Sequence, residues 1–192
     1  MTDALPDALP GRGHNRGPTM EPGAGWRRYA WRKARAELLP QMPLEVVRRR
    51  VRRARELGID YTVYASIRAT TGRDLIAFLF SSNALLPDRE GRLAGDRAAR
   101  LQAVPVDRLA LVHPPLNPAA VLAANAPHLI AADRAPGLAE GWGETRRRVL
   151  SLLDGRPADG VLVVGATGLE REWAEAARCA GFLSAARWSG AA

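Results

Sequence analysis

The second half of the chain alternates short apolar runs with helical stretches, and this alternation constrains the fold most strongly. Strand-like runs occupy 108–113, 128–132 and 160–164, with a weaker one at 182–187. Helical stretches lie between them at about 117–125, 142–154 and 168–180. Such alternation is typical of βαβ units, so residues 100–192 are predicted to form a small three-layer α/β, Rossmann-like domain with a mostly parallel sheet.

The first half predicts mainly helices. Residues 1–25 are dense in proline and glycine and hold almost no bulky apolar side chain, so we expect a disordered tail. Helices are expected at 26–39, at 43–57, where Gly58 follows as the cap, and at about 60–71.

The segment 74–83 admits two interpretations. Asp74 could cap a fourth helix, or the apolar run Leu75–Phe80 could be a buried strand. Periodicity does not separate the two in so short a run, and we favour the helix. Turn-forming residues over 87–99 then predict a linker between a basic helical module at 26–86 and the α/β domain.

Positive charge is concentrated in the first half. The chain carries a formal net charge of +8, of which residues 1–85 contribute +7 and residues 86–192 contribute +1. Lys33 is the only lysine. A GC-rich genome would raise the arginine content everywhere, so the asymmetry points to a local cause.

Arginines cover one surface of the helix at 43–57, opposite an apolar stripe of Leu44, Val47, Val51 and Ala54. Guanidinium groups bind phosphate oxygens, and the junction at 57–60 has the length of a helix-turn-helix turn. The candidate nucleic-acid-binding residues are Arg27, Arg28, Arg32, Lys33, Arg48, Arg49, Arg52, Arg53 and Arg55. A solvated helix face and a surface for an acidic protein partner are the alternatives.

A glycine turn follows the run Val161–Val164. Gly165 and Gly168 could present backbone amides to a phosphate, but Arg171 stands where a dinucleotide site has its third glycine. Glu170 and Glu172 also bring negative charge to that place. A plain turn between strand and helix is therefore favoured.

The stretch from Val161 to Phe182 resembles the last motif of the haloacid-dehalogenase-type phosphatases. That family has an aspartate for Mg²⁺ after the first glycine and an Asp-x-Asp nucleophile after an early strand. Ala166 stands at the first place, and the chain has no Asp-x-Asp. The resemblance implies a similar fold without that chemistry.

Polar residues at the predicted strand ends define a second candidate site. In open α/β sheets, ligands bind beyond the carboxyl ends of the strands. His113 could act as a general base there and Arg134 as an anion clamp, although a lone histidine before two prolines is more often structural. The possible ligand cleft comprises His113, Asn117, Arg134, Gly165, Thr167 and Gly168.

Composition argues against other kinds of site. The single cysteine, Cys179, forms no intrachain disulfide and is expected to be a small buried residue. His14, His113 and His128 are too scattered to indicate a metal site. No metal, cofactor or membrane span is predicted, and a cytoplasmic location is expected.

Three segments carry a resemblance to a family. They are Gly13-His14-Asn15-Arg16-Gly17-Pro18, Trp26-Arg27-Arg28, and Thr71-Gly72-Arg73-Asp74 with the apolar run to Leu85. Together they resemble an uncharacterised family of small alphaproteobacterial proteins, which implies a bacterial source but no mechanism. The leading hypothesis is thus a non-enzymatic nucleic-acid-associated protein. A ligand-binding protein or enzyme and a scaffold for an acidic protein are the alternatives.

Overall fold

The computed structural model describes residues 25–26, 28–31, 33 and 42–190. The chain divides into two compact units, Met1–Pro43 and Leu44–Ala192. In the first unit, residues 25–26, 28–31 and 33 are helical, which agrees with the first part of the helix predicted at 26–39. The tail before residue 25, including the run from Gly13 to Pro18, lies outside the described residues.

A five-stranded sheet forms the centre of the second unit. Its strands are β1 (Ala77–Ser81), β2 (Asp107–Val112), β3 (Ala131–Arg134), β4 (Val161–Gly165) and β5 (Gly181–Ser184). They lie in the order β3-β2-β1-β4-β5, and every neighbouring pair is parallel. The prediction of a Rossmann-like α/β domain is confirmed.

Helices precede, connect and follow the strands. They are α1 (Leu44–Glu56), α2 (Tyr61–Thr71), α3 (Ser82–Leu85), α4 (Gly95–Ala103), α5 (Pro118–Ala124), α6 (Trp142–Leu153), α7 (Gly168–Ala177) and α8 (Ala185–Ser189), with a 3₁₀ turn at Ala158–Gly160. The helices predicted at 43–57 and 60–71 are confirmed. Asp60 is the N-cap residue of α2, with no capping hydrogen bond from its side chain, and Gly72 ends that helix in the left-handed conformation, with φ of 70°.

The sheet is covered on both faces, which makes three layers. On one face, Phe78 and Phe80 of β1 pack in a cluster with residues of α1, α2, α4, α5 and α8. On the other face, Ala77 and Leu79 pack with residues of α6 and α7. Burial on both faces explains why the central strands are continuous apolar runs rather than alternating ones.

The helix favoured for 74–83 is wrong, because Ala77–Ser81 is strand β1 at the centre of the sheet. Successive side chains of a strand point to opposite faces, and both faces are buried here. Asp74 caps no helix; its Oδ1 accepts hydrogen bonds from Leu75 N at 2.9 Å and from the Tyr64 hydroxyl at 2.8 Å.

The division of the chain also differs from the predicted linker at 87–99. Because β1 pairs with β2 and β4, residues assigned to the helical module contribute the central strand of the sheet. Helix α4 begins inside the predicted linker, at Gly95. The strand predicted at 128–132 lies at Ala131–Arg134 instead, because the backbone amides of His128 and Leu129 bond to the Asn125 carbonyl in a turn.

Candidate functional site

A groove between α1 and α2 gathers arginines from both helices. Its cavity of about 420 Å³ is lined by Val46, Arg49, Arg50, Arg52, Arg53, Glu56, Tyr64, Arg68 and Asp74. We call this set of residues the arginine groove. Five guanidinium groups share it with two carboxylates, so the groove carries an excess of positive charge.

The predicted arginines of α1 divide into paired and unpaired groups. Arg48 forms an exposed ion pair with Glu45 at 2.7 Å, and Arg53 pairs with Glu56 and Asp74 at 3.3 and 3.0 Å. The remaining arginines of the helix have no hydrogen bond or ion pair to any residue that the structure describes. They are Arg49, Arg50, Arg52 and Arg55.

Asp74 organises the inner wall of the arginine groove. Its Oδ2 accepts from Arg53 Nε at 3.0 Å, while its Oδ1 accepts from the Tyr64 hydroxyl. Arg53 also donates to the carbonyl oxygen of Leu75 at 3.3 Å, which fixes the guanidinium against the segment that leads into β1. Arg68 lies opposite on α2, and its buried Nε has no hydrogen-bond partner among the described residues.

Burial, and after it the hydrogen bond to Asp74, raise the pKa of Tyr64 to about 12. The folded pKa thus exceeds the usual value of 10.0. At a pH below the usual pKa, Tyr64 therefore makes its full contribution to stability. That contribution is lost as the pH rises through the folded pKa. We expect the free energy of unfolding, measured with urea at about pH 8 and about pH 11, to fall more steeply in wild type than in Tyr64→Phe. Equal losses in both proteins would contradict this.

The apolar stripe of α1 is buried only toward its carboxyl end. Ala54 is 1% exposed, Val47 and Val51 are half-buried, and Leu44 is 61% exposed. The helix is therefore anchored near the turn that leads to α2. Of the predicted binding residues in the first unit, Arg28 and Lys33 are exposed, while Arg27 and Arg32 lie outside the described residues.

A second cluster lies at the carboxyl ends of the strands. β1 is flanked by β2 and β4, so the connections from β1 and β4 leave the sheet at its topological switch point. Glu170 of α7 is completely buried there. Its Oε2 accepts from the amides of Ala166 and Thr167 at 2.6 and 3.0 Å, and its Oε1 lies 2.8 Å from Asn83 Nδ2 and 3.0 Å from His113 Nε2.

Most residues of the predicted ligand cleft have structural roles. Asn117 caps α5 by accepting from the amides of Ala119 and Ala120, and Thr167 caps α7. A side chain at Gly165 would meet Phe182 and Glu170 below 3.0 Å. Arg134 is the exposed last residue of β3 rather than a residue beyond it, and Gly168 is the first residue of α7.

The structure brings His113 together with Glu170, a partner that the sequence analysis did not assign. Thr167 and Glu170 form a capping box, whose Thr-x-x-Glu spacing is a signal readable in the sequence. Asp74, Tyr64 and Arg68 were also missed as residues of the arginine groove. Only the spacing of Tyr64 and Arg68, four residues apart on α2, indicated that they share a helix face.

Cys179 is mostly buried, as expected, and burial raises the pKa of its thiol to about 12. In the described part of the chain, no group of three or more metal-ligating side chains comes together. Nor does any described helix have the length and apolar character to cross a membrane.

Comparisons of the chain with protein-family models, with curated proteins and with solved structures find no significant match.

Proposed function

We propose that this protein associates with nucleic acid and binds its phosphate backbone through the arginine groove. The observation that carries the proposal is the convergence of five guanidinium groups on one cavity that holds two carboxylates. Three of them, Arg49, Arg50 and Arg52, have no partner among the described residues. They remain available to a ligand.

The chemistry of these side chains favours phosphate. A guanidinium group is planar, always charged, and donates two parallel hydrogen bonds to phosphate oxygens. Arg53 is already held by Asp74 and Glu56, so it shapes the wall while the unpaired arginines face the ligand. The ligand supplies the negative charge that the groove lacks.

The lining also favours a charged backbone over a small organic ligand. Pockets for small ligands are lined mainly by apolar and aromatic side chains. In the arginine groove only Val46 is aliphatic, and Tyr64 turns its hydroxyl to Asp74. Most of the arginines belong to α1. We expect their contacts with phosphate, which carry no sequence information, to outnumber contacts with bases.

We expect the triple substitution of Arg49, Arg50 and Arg52 by Gln to weaken nucleic-acid binding by about a thousandfold, because each charged hydrogen bond contributes roughly 1.5 kcal/mol, or about tenfold in affinity. Fluorescence anisotropy at low salt with labelled duplex DNA, single-stranded DNA and RNA of the same length measures the change. Comparing the affinities for the three polymers also shows which one the protein prefers.

A control variant removes the same amount of positive charge as the triple substitution, but at positions outside the groove lining. Three exposed arginines of the second unit serve this purpose when replaced by Gln: Arg89, Arg147 and Arg178. Its affinity should stay within about twofold of wild type, since distant exposed charges are screened. Equal weakening in both variants, no binding by wild type, or equal competition by polyglutamate would refute the proposal. The last result would favour an acidic protein partner.

A further inference from the structure

A second cavity opens at the carboxyl edge of the sheet and does not involve the arginine groove. Its volume is about 680 Å³, and it is lined by His113, Pro114, Pro136, Gly137, Leu138, Ala139, Glu140 and Leu169. Six of these residues are apolar or glycine. Small-molecule sites have volumes in this range, and their linings are likewise largely apolar with a few polar groups.

The contact with Glu170 sets the hydrogen-bonding state of His113. The Glu170 carboxylate is surrounded by donors, because two backbone amides bind Oε2 and the Asn83 amide group binds Oε1. His113 therefore donates from Nε2 to Oε1 at 3.0 Å. In the neutral imidazole the other nitrogen, Nδ1, then keeps its lone pair as an acceptor.

His113 Nδ1 is free to meet a ligand. It makes no hydrogen bond to a described residue and is not among the buried polar atoms left without a partner, so it remains accessible. The His113 backbone amide donates to Ser82 Oγ at 3.0 Å, and the ring is held by Glu170 on one side and lies 5.4 Å from the ring of Trp173. A fixed ring presents its acceptor in one direction.

The charges around the cavity disfavour anionic ligands. Glu170 already occupies the amides of Ala166 and Thr167, which a phosphate at the start of α7 would need. Glu140 adds a carboxylate to the lining, and hydrogen bonds from Arg148 at 3.0 and 3.1 Å hold it in place. An anion would meet the Glu140 carboxylate and no arginine or lysine in the lining.

We propose that this cavity binds an uncharged small molecule with an apolar body and a hydroxyl or N–H group that donates to His113 Nδ1. Glu170 is the positioning residue that holds the imidazole in the accepting tautomer. The apolar body lies against Leu138 and Leu169. This site and the arginine groove are independent, because they share no lining residue.

Three matched aromatic compounds test the proposal. Phenol offers a hydroxyl donor, anisole lacks the donor, and phenyl phosphate adds negative charge. NMR titration follows the imidazole resonance of His113, assigned by comparison with His113→Gln. We expect phenol to shift this resonance saturably and to bind about fivefold more tightly than anisole, the difference that one hydrogen bond contributes. Phenyl phosphate should bind more weakly than phenol.

Two surface variants localise the binding without disturbing the core. Leu138 is 87% exposed, so Leu138→Glu should leave the fold intact and weaken phenol binding by about tenfold or more. Leu86 is 56% exposed and lies outside the cavity lining, so Leu86→Glu should leave phenol binding unchanged. The proposal fails if phenol does not shift His113, if anisole or phenyl phosphate binds as tightly as phenol, or if Leu138→Glu binds phenol normally.

Discussion

Glu170→Ala should destabilise the second unit by about 4 kcal/mol, because it removes the acceptor of four hydrogen bonds that each contribute about 1 kcal/mol. The donors left without it are the amides of Ala166 and Thr167, Asn83 Nδ2 and His113 Nε2. A buried carboxylate is costly to desolvate, but removing it leaves its surrounding donors unsatisfied. The start of α7 also loses its capping box.

Glu170→Gln removes the negative charge of the carboxylate but keeps nearly the same side-chain shape. The glutamine oxygen can still accept from the two backbone amides, while its NH₂ group faces Asn83 and His113. Both of these can turn an acceptor toward it, His113 by changing tautomer and Asn83 by rotating its amide. We therefore expect a smaller loss, of about 1 to 2 kcal/mol.

Urea denaturation followed by circular dichroism measures both losses. Glu172 provides the control, since it is exposed on the same helix and makes no hydrogen bond to a described residue. Glu172→Ala should change the free energy of unfolding by less than about 0.5 kcal/mol. A cost below about 1 kcal/mol for Glu170→Ala would show that solvent satisfies the four donors instead.

Local signals in the sequence predict the elements that carry them. Pro43, Glu45 and Gly58 mark the two ends of α1, and the Val-Leu-Val-Val run marks β4. The strand β1 has no such signal, because Phe78 and Phe80 face one helical layer while Ala77 and Leu79 face the other. In a segment buried on both sides, apolar residues follow one another without a regular spacing, so their spacing does not distinguish a strand from a helix.

The candidate sites depend on long-range contacts, which no local pattern encodes. His113 was predicted at a strand end, but its partner Glu170 lies 57 residues later. Arg53 was predicted as a nucleic-acid-binding residue, whereas the fold brings Asp74 to it from 21 residues away. Sequence reasoning identifies which residues carry charge, while only the folded chain decides which charges remain unpaired.

The affinity of the arginine groove for duplex DNA should fall about 100-fold between about 50 mM and about 200 mM salt. Arg53 is engaged by Asp74 and Glu56, which leaves Arg49, Arg50, Arg52 and Arg68 to neutralise phosphates. Four neutralised phosphates give a slope of roughly −3.6 for the logarithm of the binding constant against that of salt concentration. For single strands the slope is roughly −2.8.

The slope distinguishes direct phosphate contacts from a general attraction by net charge. Replacing Arg49, Arg50 and Arg52 by Gln should reduce it to roughly −1, because each lost contact releases about one counterion fewer. Replacing Arg89, Arg147 and Arg178 removes as much charge but no groove contact, so the slope should stay near that of wild type. If both triple variants flatten the slope equally, the overall field of the protein attracts the polymer. The arginine groove then has no special part in binding.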